Sequence, residues 1–599
     1  MKWRIRMKLL IDRIGEELQK AFAACGYEKK YGMVTVSNRP DLCQYQCNGA
    51  MAAAKEYKKA PIGIAQEVVE QIDRAMFSEV SAVAPGFINL NVSPAFLAEY
   101  LQKMQESDTL GYEKEASPKK IVVDYGGPNV AKPLHIGHLR PAVIGESVKR
   151  ILRFAGHEVI GDVHLGDWGM PMGLIIEELR ERRPELVYFD ETYTGEYPSE
   201  PPFTIDELEE IYPAASAKSK VDAEFKERAH QATARLQEKY PPYYALWKHI
   251  LAVSVSDLKK NYERLAVHFD YWLGESDAQA YIPQMIAKMV QNGFAYESQG
   301  ALVVDIREEG DTKEYPPCIV RKSDGAVLYE TTDLATIIQR EHDFRPDCYI
   351  YVVDKRQELH FIQVFRAARK CGLISPEKEL VFLGFGTVNG KDGKPFKTRD
   401  GGVMRLEQLL SDVTEEVYRK VKDGRELSEE EAKQIAQTVG LAALKYADLS
   451  NQAVKDYVFD IDRFTSFEGN TGPYILYTMV RIKSILAKYE ELTGRHFDHP
   501  QMVHEGKSRT YSASELSLML TAAKFNDAIT RAATEVAPHK ICQYIYELAN
   551  VFNSFYHENK MMSETDKEKQ AEWISLIVLV LHILECCIDL LGFEAPDRM

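Results

Sequence analysis

The stretch VVDYGGPNVAKPLHIGHLR, residues 122–140, decides the fold. Val122 and Val123 close an apolar strand, Gly126, Gly127 and Pro128 turn the chain, and His135, Ile136, Gly137 and His138 stand where the next helix begins. A helix N-terminus attracts anions because its free N–H groups and its dipole both point outward. Two imidazoles there can donate to phosphoryl oxygens, and Gly137 has no side chain to hold a flat base away from the backbone. Lys132, three residues before His135, adds a point charge for oxygens on which negative charge grows. Two surface histidines and a solvated lysine are the bland alternative, which leaves the strand, the glycine turn and the helix start unexplained. The stretch reads as a site for a nucleoside triphosphate.

Working outward, strand 120–124, a helix from about His138 to Phe154 ended by Gly156, and the strand HEVIGDVHL form a crossover unit. Such a unit opens a doubly wound parallel sheet, whose ligands lie at the carboxyl ends of its strands. The sheet does not finish at once. From about Trp168 to Pro317 the chain reads as mostly helical and polar, and apolar strand material returns at CYIYVV (348–353), followed by the helix QELHFIQVFRAARKCG and the strand LVFLGFGTV. The expectation is an α/β, Rossmann-type nucleotide fold over 113–385, split by an insertion at about 170–317. Ahead of it, residues 1–112 alternate helix and strand signals, with an amphipathic helix near Leu9 to Phe22 and the strand GFINLNV, and form an α/β domain of their own. Residues 108–119, polar and holding Gly and Pro, suit a linker. After Gly402 the chain is almost wholly helical and ends in an all-α bundle over 451–599.

Composition is that of a globular protein, with 45% hydrophobic and 27% charged residues among 599. The N-terminus reaches only a three-residue apolar run before charges return, so no secretory signal is read there. Residues 574–584 form the longest strongly apolar stretch, too short to span a bilayer and suited to a buried bundle helix. Nine scattered cysteines imply neither a disulfide framework nor a zinc site; Cys43 and Cys47 are the nearest to a ligand pair and lack partners. The compartment expected is the cytoplasm. A net charge of −16 argues mildly against nucleic acid, yet residues 1–60 hold 12 Lys or Arg against 6 Asp or Glu. Charge alone leaves that segment open between a solvated basic face and an RNA contact.

Three further segments carry candidate chemistry. GKDGKPFKTRDGG (390–402) is dense in Gly and holds Lys391, Lys394, Lys397 and Arg399, which reads as a cationic loop closing over a triphosphate or, blandly, as a basic surface turn. VLYETTDLATIIQRE (327–341) reads as a strand running into a helix with Asp333 at its start, where a capping carboxylate is the ordinary alternative. DKRQELH (354–360) sits at a strand's carboxyl end, with Gln357 and His360 three apart on one helical face.

Together these motifs resemble a class I aminoacyl-tRNA synthetase, and within that class the arginyl-tRNA synthetases. PNVAKPLHIGHLR, HLGDWG (164–169), FDYWLGES (269–276), YETTD (329–333), QELH (357–360), FKTR (396–399), FEGNTGPYILY (467–477) and EAPDRM (594–599) are similar to that family's segments, in order and over essentially the whole chain. The resemblance implies that Asp124, Asn129, Glu275, Tyr329, Asp333 and Gln357 surround an arginine substrate. A guanidinium presents five donors in a rigid fork, so carboxylates such as Glu275 and Asp333 can select it over an ammonium. It implies ATP contacts from Gly137, His135, His138, His360 and Thr398, with Lys132, Lys397 and Arg399 acting on the phosphates. Phe87 and Asn89 are implied at the outer corner of tRNA, and Tyr474, Tyr477 and Met599 at the anticodon, in a class I fold whose bundle binds the anticodon. Residues 386–450 would then hold the signature loop and a stem-contact region.

One departure stands out. The class signature KMSKS is here FKTRDG, which lacks the usual second lysine, and similar arginine enzymes compensate with the lysine before HIGH, here Lys132. The activity implied is ATP-dependent formation of arginyl-adenylate and transfer to tRNA(Arg), in a first step that needs tRNA bound. Partners are L-arginine, ATP as its Mg²⁺ complex and tRNA(Arg), with no tightly bound metal, no membrane and a monomeric chain. A non-catalytic tRNA-binding relative would show damaged ATP motifs, and a small HIGH-type nucleotidyltransferase would not need the long bundle.

Overall fold

A four-stranded parallel sheet carries the site in the computed structural model, which describes residues 7–323, 325–394, 396, 404–423, 427–494 and 510–599. Its strands run in the order Glu379–Phe385, Cys348–Asp354, Lys120–Asp124, Glu158–Asp162. Val122 and Val123 on the inner strand are both 0% exposed, so the strand reads as an unbroken apolar run instead of alternating. Burying each valine is worth about 1.5–3 kcal/mol. The chain leaves Lys120–Asp124 toward Glu158–Asp162 on one side and returns later on the other, so the order reverses beside Asp124, where such sheets bind ligands.

Two compact units divide the chain, one of residues 116–466 with 591–593, the other of the residues up to Glu115 with 467–590 and 594–599. In the sheet unit, the segment expected to be mostly helical is so only in part. Helices Met170–Arg182, Ile205–Lys218, Ala223–Gln237, Pro241–Arg264 and Ile282–Gln291 are followed by an antiparallel sheet of Ala295–Ser298, Ala301–Val304 and Cys318–Arg321. Its hairpin turns at Gln299 and Gly300, both with positive φ (51° and 80°), the backbone of a type I′ turn. The usual signal there is Asn-Gly or Asp-Gly, and Gln in the first place hid it.

The unit also extends past the expected start of the bundle at 451. Tyr457–Val458 pairs in parallel with Val388–Asn389, and helices Leu406–Lys422 and Glu429–Leu449 pack on each other. This separate two-stranded pairing ties the stretch to the segment that follows the last strand of the parallel sheet.

In the other unit, an antiparallel sheet in the order Val34–Val36, Tyr45–Cys47, Phe87–Val92, Phe77–Val83 is covered by helices. Helix Leu10–Ala24 buries Ile14, Leu18 and Phe22, each 0% exposed and four apart. The bundle comprises Gly472–Thr493, Ala513–Ala523, Phe525–Thr534, His539–Glu558 and Lys567–Leu590. That last helix is long and apolar enough to cross a membrane by length and composition, yet Ile574, Ile577, Val580 and Leu584 are all fully buried inside the unit.

Candidate active site

The decisive stretch folds as a strand, a glycine turn and a helix start. Gly126 and Gly127 take positive φ (90° and 36°), and a 3-10 turn Ile136–His138 runs directly into helix Leu139–Phe154. The two histidines are organised by the backbone. Gly137 N–H donates to His135 Nδ1 at 3.0 Å, and His135 N–H donates to His138 Nδ1 at 3.1 Å. With both Nδ1 atoms accepting, each neutral ring carries its proton on Nε2 and offers that N–H outward as a donor. Burial, then the neighbouring His135 and Lys132 charges, push His138 down to about 3, and His135 is lowered by burial and Lys132. Both rings are neutral donors at pH 7. Gly137 has a nearer reason than the flat base: a Cβ there would lie 2.8 Å from the His135 ring.

Lys132 lies with its Nζ 4.5 Å over the ring of Tyr212, from the inserted helix Ile205–Lys218. Such a contact is worth about 0.5–2 kcal/mol and parks the charge beside His135. A cleft of about 470 Å³ opens here, lined by Lys132, His135, Tyr212, Ser216, Lys220 and Arg405 among others. The signature-loop residues Lys397, Thr398 and Arg399 lie outside the described residues. Both flanks of their loop are fixed: Phe396 N–H donates to Val388 O at 3.1 Å, while Ile136 N–H donates to Met404 O and Leu406 N–H to Leu134 O. The second flank thus pairs with the backbone of the histidine motif itself.

Beyond the strand ends lies an acidic pocket. Glu275 begins the short helix Glu275–Ala278, which packs on helix Tyr329–Asp343 bearing Asp333. Burial, then the negative charges of Asp333 and Asp167, raise the Glu275 carboxyl to about 8. No cation pairs with it among the described residues. Asp333 is not the helix cap or first-turn residue of the ordinary alternative, because Tyr329 opens the helix, and residues 325–328 before it are not strand. One turn in, its carboxylate faces His360 Nε2 at 2.5 Å, and His360 Nδ1 lies 3.5 Å from Glu330. Burial works against a charge on His360, but the Asp333 and Glu330 carboxylates prevail and raise it to about 9. Its helix, Glu358–Lys370, holds His360 against these two carboxylates.

Asp124 is likewise committed inside the chain. Arg340 Nη2 donates to Asp124 and Asp162, both at 2.7 Å, and the arginine is 0% exposed. Its charge is answered by the chain's own arginine. Gln357 ends the 3-10 turn Lys355–Gln357, directly before the helix that carries His360, and is exposed. Tyr329 is 66% exposed at the rim. Asn129 bridges to Gly166, where a Cβ would come within 2.1 Å of its Oδ1, a contact that spacing alone did not mark.

In the other unit, Phe87 is half-buried and Asn89 is 9% exposed on one face of strand Phe87–Val92, opposite Ile88 and Leu90 in the core. Asn89 Oδ1 accepts from Gln46 Nε2 at 2.9 Å, which adds Gln46 to that face. Tyr474 and Tyr477 share a half-buried face of helix Gly472–Thr493 with Arg481. The Tyr474 hydroxyl donates to Asn550 (2.7 Å) and accepts from Asn553 (2.9 Å), whereas the Tyr477 ring lies 4.9 Å under the Arg481 guanidinium. Met599 ends a tail in which Asp597 reaches Lys483 at 3.6 Å.

Three family models match along the chain. Residues 100–461 match the tRNA synthetases class I (R) catalytic domain, 475–599 the DALR anticodon binding domain, and 8–92 the arginyl tRNA synthetase N terminal domain. The chain is 61% identical over 601 residues to an arginine–tRNA ligase of Agathobacter rectalis, covering 99% of this chain and 100% of the relative. It is 56% identical over 594 residues to the arginine–tRNA ligase of Alkaliphilus oremlandii, with the same coverage. Solved arginyl-tRNA synthetases of Plasmodium falciparum and Thermus thermophilus share the fold at TM-scores of 0.80 and 0.75, with 23% and 21% identity, over 99% of this chain and 100% of each of theirs. A neutral histidine pair at a nucleotide-sheet turn, an acidic pocket beside it and these matches from end to end agree: the chain belongs to the arginyl-tRNA synthetases of class I.

Proposed function

We propose that the protein is an arginine–tRNA ligase, and the observation that carries this reading is the acidic pocket of Glu275 and Asp333 beside the neutral histidine pair. The carboxylate of L-arginine attacks the α-phosphorus of ATP, pyrophosphate leaves, and arginyl-adenylate remains. His135 and His138 donate through Nε2–H to phosphate oxygens, and Lys132 supplies the charge that the FKTR loop lacks for want of a second lysine. ATP enters as its Mg²⁺ complex, a substrate whose metal is carried on the phosphates. The terminal ribose 2′-OH of tRNA(Arg) then attacks the mixed anhydride and releases AMP. The first step requires bound tRNA, and the protein acts as a monomer in the cytoplasm. The built histidine pair favours this over a non-catalytic tRNA-binding relative. With labelled arginine, tRNA ending in 3′-deoxyadenosine is charged while tRNA ending in 2′-deoxyadenosine is not; charging of the reverse pair, or of lysine in place of arginine, overturns the reading.

The pocket gives a pH signature. Below pH 8 the free Glu275 carboxyl holds its proton, a guanidinium needs the ionised form, and binding therefore releases the proton. The arginine KM falls as pH rises from about 6.5 to about 8.5 and then levels, because each unit below the pKa costs up to about 1.4 kcal/mol of binding. Steady-state kinetics in Glu275→Gln checks this: the variant has a high KM that no longer follows pH in that window.

We assign tRNA to the two faces in the other unit, with Phe87, Asn89 and Gln46 on the outer corner and Tyr477 and Met599 on the anticodon loop. Tyr477→Ala weakens tRNA charging about tenfold, as a stacked base is worth about 1–3 kcal/mol, and leaves the melting temperature within a few degrees. Tyr474→Ala lowers the melting temperature more, since Asn550 and Asn553 lose their partner. The two variants, compared by tRNA KM and thermal melts, separate the RNA contact from the structural one.

A further inference from the structure

Asp167 is a buried carboxylate that the mechanism above does not use. It is 2% exposed, and no cation pairs with it among the described residues. Both of its oxygens are spent on one residue: Oδ1 accepts from Ser276 N–H at 2.9 Å and Oδ2 from Ser276 Oγ–H at 2.6 Å. Ser276 directly follows Glu275. The backbone around Asp167 is joined to the same segment, since Leu165 N–H donates to Leu273 O at 2.7 Å and Glu275 N–H donates to Leu165 O at 3.0 Å. Trp247 Nε1–H holds the Asp167 carbonyl at 2.8 Å, and its ring lies edge-on to Trp168 at 5.3 Å. Gly274 completes the fit, because a Cβ there would lie 2.6 Å from the Asp167 carboxylate. A helix of one turn cannot fix its own rotation, so the orientation of Glu275 depends on what grips its first residues.

We infer that Asp167 is a positioning residue for guanidinium recognition, which through its two bonds to Ser276 sets the direction in which Glu275 presents its carboxylate. The inference rests on the proposed role of Glu275. Asp167 also contributes, with Asp333, to the negative field that holds the proton on Glu275; Tyr329 faces the same carboxyl, His360 pairs with Asp333, and His164 lies near Asp167. Position and charge are separable. In Asp167→Asn the amide oxygen still accepts from Ser276 N–H and the amide nitrogen can donate to Ser276 Oγ, so the grip survives without the charge.

The test is steady-state kinetics of Asp167→Ala, Asp167→Asn, Ser276→Ala and Glu275→Gln, with separate KM values for arginine and ATP. Asp167→Ala is expected to raise the arginine KM on the order of tenfold with the ATP KM unmoved, the loss expected when charge-assisted bonds are removed. Ser276→Ala, which keeps the N–H bond, raises it less. Asp167→Asn restores most of the affinity and shifts the pH at which arginine binding improves to a lower value. An Asp167→Asn variant as poor as Asp167→Ala, or an equal rise in both KM values, overturns the inference. Should Asp167→Ala fail to fold, an arginine KM in Ser276→Ala equal to wild type overturns it as well. Glu275→Gln distinguishes the levels: an unmoved arginine KM there refutes the guanidinium site itself, whereas a large rise there with none in Asp167→Ala refutes only the positioning role.

Discussion

His138→Ala lowers the rate of adenylate formation on the order of 10²-fold or more while leaving the KM for arginine and the affinity for tRNA nearly unchanged. The geometry gives the reason. His138 accepts the His135 backbone N–H on Nδ1, which leaves Nε2–H as its one donor, and burial keeps the ring neutral with a pKa near 3. A preorganised neutral donor stabilises charge that grows on phosphate as pyrophosphate departs and contributes little to ground-state binding. Pre-steady-state measurement of adenylate checks it. His138→Asn, whose Oδ1 can accept the same backbone N–H, keeps the fold of the turn but not the outward donor and is expected to be nearly as slow. A matching loss of tRNA affinity in either variant would mean that the turn had collapsed.

Arg140→Ala has the largest expected effect on stability. Arg140 is 1% exposed, its Nε donates to Asp448 at 3.0 Å, and its Nη1 donates to the carbonyls of Gly386 at 2.7 Å and Lys455 at 2.9 Å. Tyr457 O–H donates to the same Asp448 oxygen at 3.0 Å. Removing one partner of a buried pair costs about 3–5 kcal/mol, because the other charge stays buried without its answer. Calorimetry should show the transition of the parallel-sheet unit falling by several degrees. Asp448→Asn still accepts from Arg140 and Tyr457 but leaves the buried guanidinium without a counter-charge, so it is expected to destabilise the same unit. The defect extends to catalysis, since Arg140 ties the helix after the histidine motif to the strand that leads into the signature loop.

How far the sequence carried the structure depends on how local each signal was. Strand, glycine turn and histidine pair follow one another within nineteen residues, and periodicity with Gly and His chemistry was enough to place them. The hairpin at Gln299 and Gly300 escaped because a positive φ at glutamine has no sequence mark. Asp333, Glu275 and Asn129 were named as pocket residues through the family resemblance, but their partners come from far along the chain. His360 reaches Asp333 across 27 residues and Arg340 reaches Asp124 across 216, so neither pairing could be read from spacing. Asp167 and Gly166 sat inside a quoted motif without a role, because Asp167 acts through a segment more than a hundred residues later and Gly166 through Asn129, 37 residues earlier.

The central claim, that this pocket selects a guanidinium for a nucleotide site beside it, is tested most directly by amino-acid-dependent ATP–pyrophosphate exchange in the presence and absence of tRNA(Arg). Arginine with tRNA supports exchange, arginine alone supports little, and lysine supports none that competes, since an ammonium lacks the rigid, planar set of five donors that a guanidinium offers to carboxylates. Exchange with lysine comparable to that with arginine, or none with arginine when tRNA is present, would contradict the account.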